Sequence, residues 1–216
     1  MTTLREQTDA KIAAGRKGNP EFMKGIDEVI KEAKAFKEGS DALKLGDKAP
    51  SFTLPNQQGI LVSLDNLLAK GPVIVTFYRG SWCPYCNLQL KALQSRLEQI
   101  HGLGAQLVAI SPEVPDDSLT ENELSEMAFE VLSDQNADVA AQFGVAWKVP
   151  DFVLDHMKVD RHLDIEKINN GNANIMPIPA TFVLNKTGTA VWRFVDVDYR
   201  VRSEPEDIIN ELKKLA

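Results

Sequence analysis

The stretch from residue 72 to residue 86 narrows the folds open to this chain more than any other. Pro72-Val-Ile-Val-Thr-Phe-Tyr78 is a short, β-branched apolar run of the kind that forms a buried strand. Cys83-Pro-Tyr-Cys86 follows, and Leu90, Leu93, Leu97 and Ile100 then recur at three- and four-residue steps until Gly102 and Gly104. That spacing predicts an amphipathic helix, so the cysteine pair sits where a buried strand hands over to a helix. Two cysteines three residues apart on a first helical turn have Cα atoms about 5 Å apart, within the roughly 4.4–6.8 Å that a disulfide needs. The pair can open and close while the fold stays still. Cys83 falls at the exposed start of the helix, where unpaired backbone N–H groups and the helix dipole favour a thiolate. Cys86 lies one turn inside and is the less accessible.

Around this junction strands alternate with helices. Residues 51–54 and 60–64 read as a hairpin around Asn56–Gly59, residues 106–110 as a second buried strand and residues 130–132 as a short one. Helical patterns run over 115–128 and 137–143, the latter ended by Gly144. A hairpin of residues 181–184 and 189–195 precedes a final helix after Pro205, and 150–174 reads as one helix and an Asn-rich turn. The alternation predicts an α/β fold with a partly parallel sheet.

The first 43 residues have a different texture. Thr3 and Glu6 form a capping box for a helix with Leu4, Thr8 and Ile12 on one stripe, stopped by Gly15 and Gly18. Asn19 and Pro20 restart a helix that carries Phe22, Ile26, Val29, Ile30 and Ala33 and ends near Gly39. The expected organisation is a helical extension over 1–43 and one α/β domain over 44–216.

A chain of 216 residues buries roughly 70% of its unfolded surface, so it needs no disulfide or metal staple and its two cysteines are free for chemistry. With 24 Lys and Arg against 31 Asp and Glu, the net charge of −7 repels a phosphate backbone, and no nucleic-acid partner is expected. The amino terminus carries no apolar run of secretory length, and nothing approaches the roughly 18 consecutive apolar residues of a membrane span. The expectation is a cytoplasmic chain with no membrane partner, in a reducing compartment where a close cysteine pair is more often catalytic or metal-binding than structural. Zinc lacks its donor set, because there is no second cysteine pair and His101, His156 and His162 are scattered. A haem attachment site needs His after the second cysteine, where Asn87 stands. Neither metal nor cofactor is expected, and a pair of inert buried thiols is the bland alternative to redox chemistry.

Three segments, Gly46-Asp-Lys-Ala-Pro-Ser-Phe-Thr-Leu54, Phe77-Tyr-Arg-Gly-Ser-Trp-Cys-Pro-Tyr-Cys86 and Ile178-Pro-Ala-Thr-Phe-Val183, carry a resemblance that runs from Lys44 to the end. There the chain resembles the alkyl hydroperoxide reductase and thiol-specific antioxidant family, the peroxiredoxin-like branch of the thioredoxin fold. The resemblance implies a mixed sheet flanked by helices and reduction of hydroperoxides by a Cys83/Cys86 pair, reopened by thioredoxin or glutathione. The departures are as informative. Aligned on Phe77-Tyr78, the proline that peroxiredoxins carry next is Arg79, their threonine is Cys83 and their peroxidatic cysteine is Cys86. Their arginine ahead of the strand that begins near Thr181 is replaced by Pro179.

Those changes are similar to thioredoxins, whose cis-proline ahead of a strand matches Ile178-Pro179. The buried acid that thioredoxins carry six residues before the first cysteine is Phe77 here, which leaves Glu113 as a weak candidate for proton transfer. Arg79 either stabilises a thiolate, replaces the missing arginine or sits in a surface or structural ion pair. Trp82 reads as packing and partner surface, and His156 and His162 as solvated. The leading function is hydroperoxide reduction. Protein dithiol–disulfide exchange is the alternative, and a non-catalytic redox-sensing interaction protein the third. The family alignment makes Cys86 the first nucleophile, helix geometry makes it Cys83, and the oligomeric state stays open.

Overall fold

The computed structural model describes residues 2–114 and 128–215. Its centre is a mixed five-stranded sheet built on β3 (Val73–Phe77), the strand that precedes the cysteines. β4 (Gln106–Ser111) pairs parallel on one side of β3 and β8 (Ala180–Leu184) antiparallel on the other. β5 (Glu130–Ser133) and β9 (Ala190–Val195) complete the sheet outward from β4 and β8 respectively. β3 is apolar almost throughout because both of its faces are covered. Val73, Val75 and Phe77 pack with Phe143 and Phe182 on one face. Ile74 and the following Tyr78 pack with Leu90, Leu93 and the carboxy-terminal helix on the other. A small hairpin, β1 (Thr53–Pro55) with β2 (Leu61–Ser63), leads into α3 (Leu64–Leu68).

The helix after the cysteines is interrupted. It runs as α4 (Pro84–Gln94) and α5 (Leu97–Gly102), separated at Ser95 and Arg96. Ser95 Oγ–H donates to the Ala92 carbonyl at 2.7 Å, a local bond that competes with the helical ladder. α6 (Asp138–Gln142) and β6 (Ala146–Lys148) follow β5, as the Gly144 stop predicts. The region expected to hold one helix is instead α7 (Asp151–Asp155), a π-helical turn over His156–Asp160, and α8 (Ile165–Ile168) before β7 (Ile175–Pro177). The helix expected at 115–128 lies almost wholly outside the described residues. α9 (Pro205–Lys213) closes the chain.

The amino-terminal helices form where the capping residues place them. α1 (Leu4–Gly18) begins with the Thr3–Glu6 capping box, and α2 (Pro20–Ala35) begins at Asn19, whose side chain accepts from the Phe22 N–H. Gly15 does not stop α1. It lies inside the helix, where an added Cβ would meet Met23 Sδ at 3.2 Å, so the small residue lets α2 fold back closely. Both helices are tied to the body. The Glu204 carboxylate accepts from the Leu4 and Arg5 N–H groups at 3.3 and 2.7 Å, satisfying donors that a helix start leaves unpaired. The apolar face of α2, with Ile26 and Ile30, packs against Val149, Val153, Met157 and Met176, worth roughly 1.5–3 kcal/mol for each large side chain buried. Asp27 of α2 forms an ion pair at 2.7 Å with Arg200 of the loop after β9.

Candidate active site

The turn from β3 into α4 is built from its own backbone. Tyr78 N–H extends the strand by donating to the Ile110 carbonyl at 3.0 Å. Gly80 then adopts φ +141°, and a Cβ there would stand 2.3 Å from Trp82 Nε1 and 3.1 Å from Glu113 Cδ. Only glycine fits that approach. Ser81 donates its N–H and its hydroxyl to the two Glu113 carboxylate oxygens at 2.7 and 2.8 Å, and Cys83 N–H donates to the Gly80 carbonyl at 3.1 Å. Cys83 is thereby the cap residue of α4, with Pro84 in the first turn and Cys86 one turn along. Both thiols are free.

The expected exposed cysteine is not exposed. Cys83 is 1% and Cys86 0% accessible. Arg202 of the loop after β9 lies against both sulfurs, and residues of the two amino-terminal helices line a cavity beside Cys83. That loop contributes residues absent from the sequence-based site. Arg202 places Nη2 3.2 Å from Cys86 Sγ and 4.0 Å from Cys83 Sγ, and Tyr199 lies over the guanidinium of Arg79 at 4.2 Å. Arg79, expected to be able to sit at the surface, is 4% exposed and is sandwiched with Trp82 on its other contact at 4.9 Å. Both rings present a negative face to the cation. Beneath Cys86, Gln89 Nε2–H donates to the Thr181 and Ser203 hydroxyls at 3.2 Å, joining α4, β8 and the loop that carries Arg202.

The two thiols are driven apart. Burial opposes ionisation of Cys83, but hydrogen bonding from Cys86 and the charges of Arg79 and Arg202 outweigh it and bring Cys83 down to about 5. Burial, together with the Cys83 thiolate and its hydrogen bond, pushes Cys86 well up, against the pull of Arg202. Arg202 is nearer to Cys86, yet the negative charge belongs on Cys83. Cys83 receives the Cys86 backbone N–H as well as the thiol and has the Arg79 charge. One proton is shared by a pair that holds one charge. Burial first, then the Glu113 carboxylate, also raises Tyr78, which stays a neutral hydroxyl bonded to Ser111.

Pro179 departs from expectation. None of the described peptide bonds is cis, so the Ile178–Pro179 bond is trans. The chain runs extended from β7 into β8, with Ile178 N–H donating to the Val145 carbonyl at 2.7 Å, and a trans proline continues that course. Pro179 is buried and does not line the cavity in front of Cys83. Trp82 does line it. Nor is His156 simply solvated, since its ring stacks on Phe22 at 3.6 Å and its Nδ1 meets Asp160 Oδ2 at 2.6 Å. Among the described residues no cluster of three or more His, Cys, Asp or Glu could hold a metal ion, and no helix is long and apolar enough to cross a membrane.

A buried cysteine pair at the start of a helix that follows the central strand of such a sheet defines a thiol oxidoreductase of thioredoxin-like architecture. A sequence profile of the AhpC/TSA family matches residues 45–193, and the chain belongs to that family. It is 31% identical over 174 residues to a putative peroxiredoxin bcp of Haemophilus influenzae, covering 80% of this chain and 98% of the relative. It is 33% identical over 111 residues to peroxiredoxin Bcp of Escherichia coli, covering 51% of this chain and 70% of that one. In fold it is similar to the crystal structure of peroxidoxin BcpB from Mycobacterium tuberculosis, with a TM-score of 0.62 at 23% identity over 81% of this chain and 99% of the other. Xylella fastidiosa PrxQ, solved as a cysteine-to-serine mutant, gives 0.60 at 16% identity over 80% and 96%.

Proposed function

We propose that this chain reduces hydroperoxides, with Cys83 as the attacking thiolate and Cys86 as the resolving thiol. The observation that carries this reading is the placing of two buried arginines, Arg79 and Arg202, at a buried cysteine pair, with Arg202 Nη2 3.2 and 4.0 Å from the Cys86 and Cys83 sulfurs. The Cys83 thiolate attacks the terminal peroxide oxygen and the O–O bond breaks heterolytically. The alcohol or water leaves with a proton, and Cys83 becomes a sulfenic acid. Arg202 supplies near the sulfurs the positive charge that the chain lacks at Pro179, where it steadies the departing oxygen.

Loss of the Cys83 charge then reverses the electrostatics. With its neighbour neutral, Cys86 no longer faces a thiolate, and Arg202 at 3.2 Å favours its ionisation. Cys86 sulfur attacks Cys83 sulfur, the sulfenic oxygen leaves as water, and a disulfide forms one helical turn long. An external thiol reopens it. The family relationship and the peroxiredoxins among the relatives support this reading. Dithiol–disulfide exchange on protein substrates loses two of its supports, because the bond before Pro179 is trans and Cys83 is covered.

The order of attack is tested by dimedone labelling after stoichiometric hydrogen peroxide, followed by peptide mapping. Cys86→Ser is expected to be labelled at Cys83, while Cys83→Ser stays unlabelled. Label on Cys86 in Cys83→Ser would reverse the roles. No label in either variant above the rate of free cysteine would return the chain to disulfide exchange.

A further inference from the structure

In front of Cys83 lies a cavity of about 550 Å³, within the roughly 300–1,000 Å³ typical of small-molecule pockets. Cys83, Arg79 and Tyr199 line it together with Phe22 of α2 and Met157 of the π-helical turn. The amino-terminal helices thus act as walls of the site, with Lys11 of α1 at the cavity as well. The charges here are unbalanced. Lys11 and Arg161 form no ion pair among the described residues, and Asp160 is engaged by His156 at 2.6 Å. Arg79 adds a third cation that is almost fully buried, with its Nε unpartnered, and the Trp82 indole N–H is unpartnered too.

Hydrogen peroxide needs none of this volume. A Cys83–Cys86 disulfide formed in turnover does need an external thiol, and the residues lining the cavity beside Cys83 decide what can deliver it. A protein reductant has to bring its own cysteine in line with the sulfur of Cys83, a residue that is 1% exposed. A small thiol can enter. We propose that the cavity is a subsite for a low-molecular-weight thiol bearing carboxylates, whose anionic groups are drawn to Lys11 and Arg161 while its sulfur reaches Cys83 beside Arg79. This rests on the reading of Cys83 and Cys86 as a turnover disulfide.

The chemistry balances with two such thiols. The first thiolate attacks Cys83 sulfur, a mixed disulfide forms, and Cys86 leaves as a thiolate beside Arg202 and takes up a proton. The second attacks the sulfur of the bound thiol and releases a small-molecule disulfide and the Cys83 thiolate. Two thiols are oxidised and one protein disulfide is reduced.

The test starts from the intact chain oxidised with diamide, so that failure of peroxide chemistry, measured separately on the reduced protein, cannot be mistaken for failure of the subsite. Reduction of the disulfide is followed by alkylation and mass analysis with glutathione, with its diethyl ester, which lacks both carboxylates, and with thioredoxin. Glutathione is expected to react about tenfold faster than the ester at equal thiolate concentration. That ratio should fall towards one in Lys11→Glu and Arg161→Glu, and in about 0.5 M salt. Cys86→Ser exposed to oxidised glutathione should gain one glutathione on Cys83. Equal rates for glutathione and ester, or micromolar thioredoxin outrunning millimolar glutathione, would overturn the proposal.

Discussion

The Cys83–Cys86 pair is held on one side by a contiguous turn and on the other by segments remote in sequence. Residues 79–87 place the sulfurs through short-range bonds such as Cys83 N–H to Gly80 O and Asn87 Nδ2–H to Ser81 O at 2.7 Å. Arg202 reaches Cys86 from 116 residues downstream, and Lys11 and Phe22 come to the cavity from the opposite end of the chain. The local half sets where the sulfurs are. The local half also favours a thiolate on Cys83, through the Cys86 donors and Arg79, while the remote half adds the Arg202 charge and sets what can approach. Substitutions in the two halves should therefore fail differently, the first through the position of the sulfurs and the local share of their ionisation, the second through access and the Arg202 share.

The largest effect belongs to the proposed nucleophile. Cys83→Ser is expected to lose at least about 10³-fold in the second-order rate with hydrogen peroxide, as removal of an essential nucleophile does. Cys86→Ser should keep the first oxidation step and lose turnover. Stopped-flow peroxide consumption under single-turnover conditions checks both, and comparable losses in the first step from either variant would erase the division of labour.

Gly80→Ala probes the local half. At φ +141° an alanine is strained, and its Cβ would collide with Trp82 Nε1. A loss of about 2 kcal/mol or more is expected in urea unfolding. A change below about 0.5 kcal/mol, within the range of ordinary surface substitutions, would mean that the turn has room to relax.

The local half is also the half that is legible in sequence. A β-branched apolar run, a proline after the first cysteine and a leucine period are enough to place β3, Cys83 and α4, and the Thr3 and Asn19 caps place both amino-terminal helices. Those signals are local dihedral and hydrogen-bond preferences. Arg202 carries no such signal, because nothing in Tyr199-Arg-Val-Arg202 says that one arginine pairs with Asp198 and Asp27 while the other meets the sulfurs. Only the packing of the loop on α2 and α4 decides that. The burial of Cys83 is hidden for the same reason, since the helices that line the cavity beside it lie more than forty residues upstream. Pro179 misleads because a proline before a strand fits an extended trans passage as well as a cis turn, and the bond from Ile178 to Val145 selects the former. At Ser95 a strong leucine period masks the side-chain bond that ends α4.

Arg202→Met breaks the remote half. Without the guanidinium, Cys83 is expected to titrate about one unit or more higher. Iodoacetamide alkylation against pH reads this directly. In the unaltered chain thiolate reactivity should rise through a midpoint near 5 and stay flat above about pH 6.5, whereas the variant should still be rising there. The sign for stability follows. Cys83 lies below its unfolded value of about 8.5, so its ionised form stabilises the reduced fold fully above that pH. That contribution is lost as pH falls towards 5. One unit corresponds to about 1.4 kcal/mol, or about 30 mV in the potential of a two-electron couple, and the variant should be the weaker oxidant. An unchanged alkylation midpoint would transfer the electrostatic role to Arg79.

The smallest effect tests whether the amino-terminal wall is held as the contacts indicate. Glu204→Gln keeps a hydrogen-bond acceptor for the Leu4 and Arg5 N–H groups but removes the charge that faces the positive end of α1. A loss of about 0.3–1 kcal/mol is expected for such a charge at a helix start. It should be confined to α1, seen as faster amide hydrogen exchange in that helix with little change in the central sheet. Alkylation of Cys83 by a bulky maleimide should rise modestly in the same variant, because α1 carries Lys11, Ala14 and Gly15 at the cavity. Faster exchange spread over β3 and β8 as well would show that the helix and the sheet open as one unit, and the wall would then be part of the core and not a separable cover.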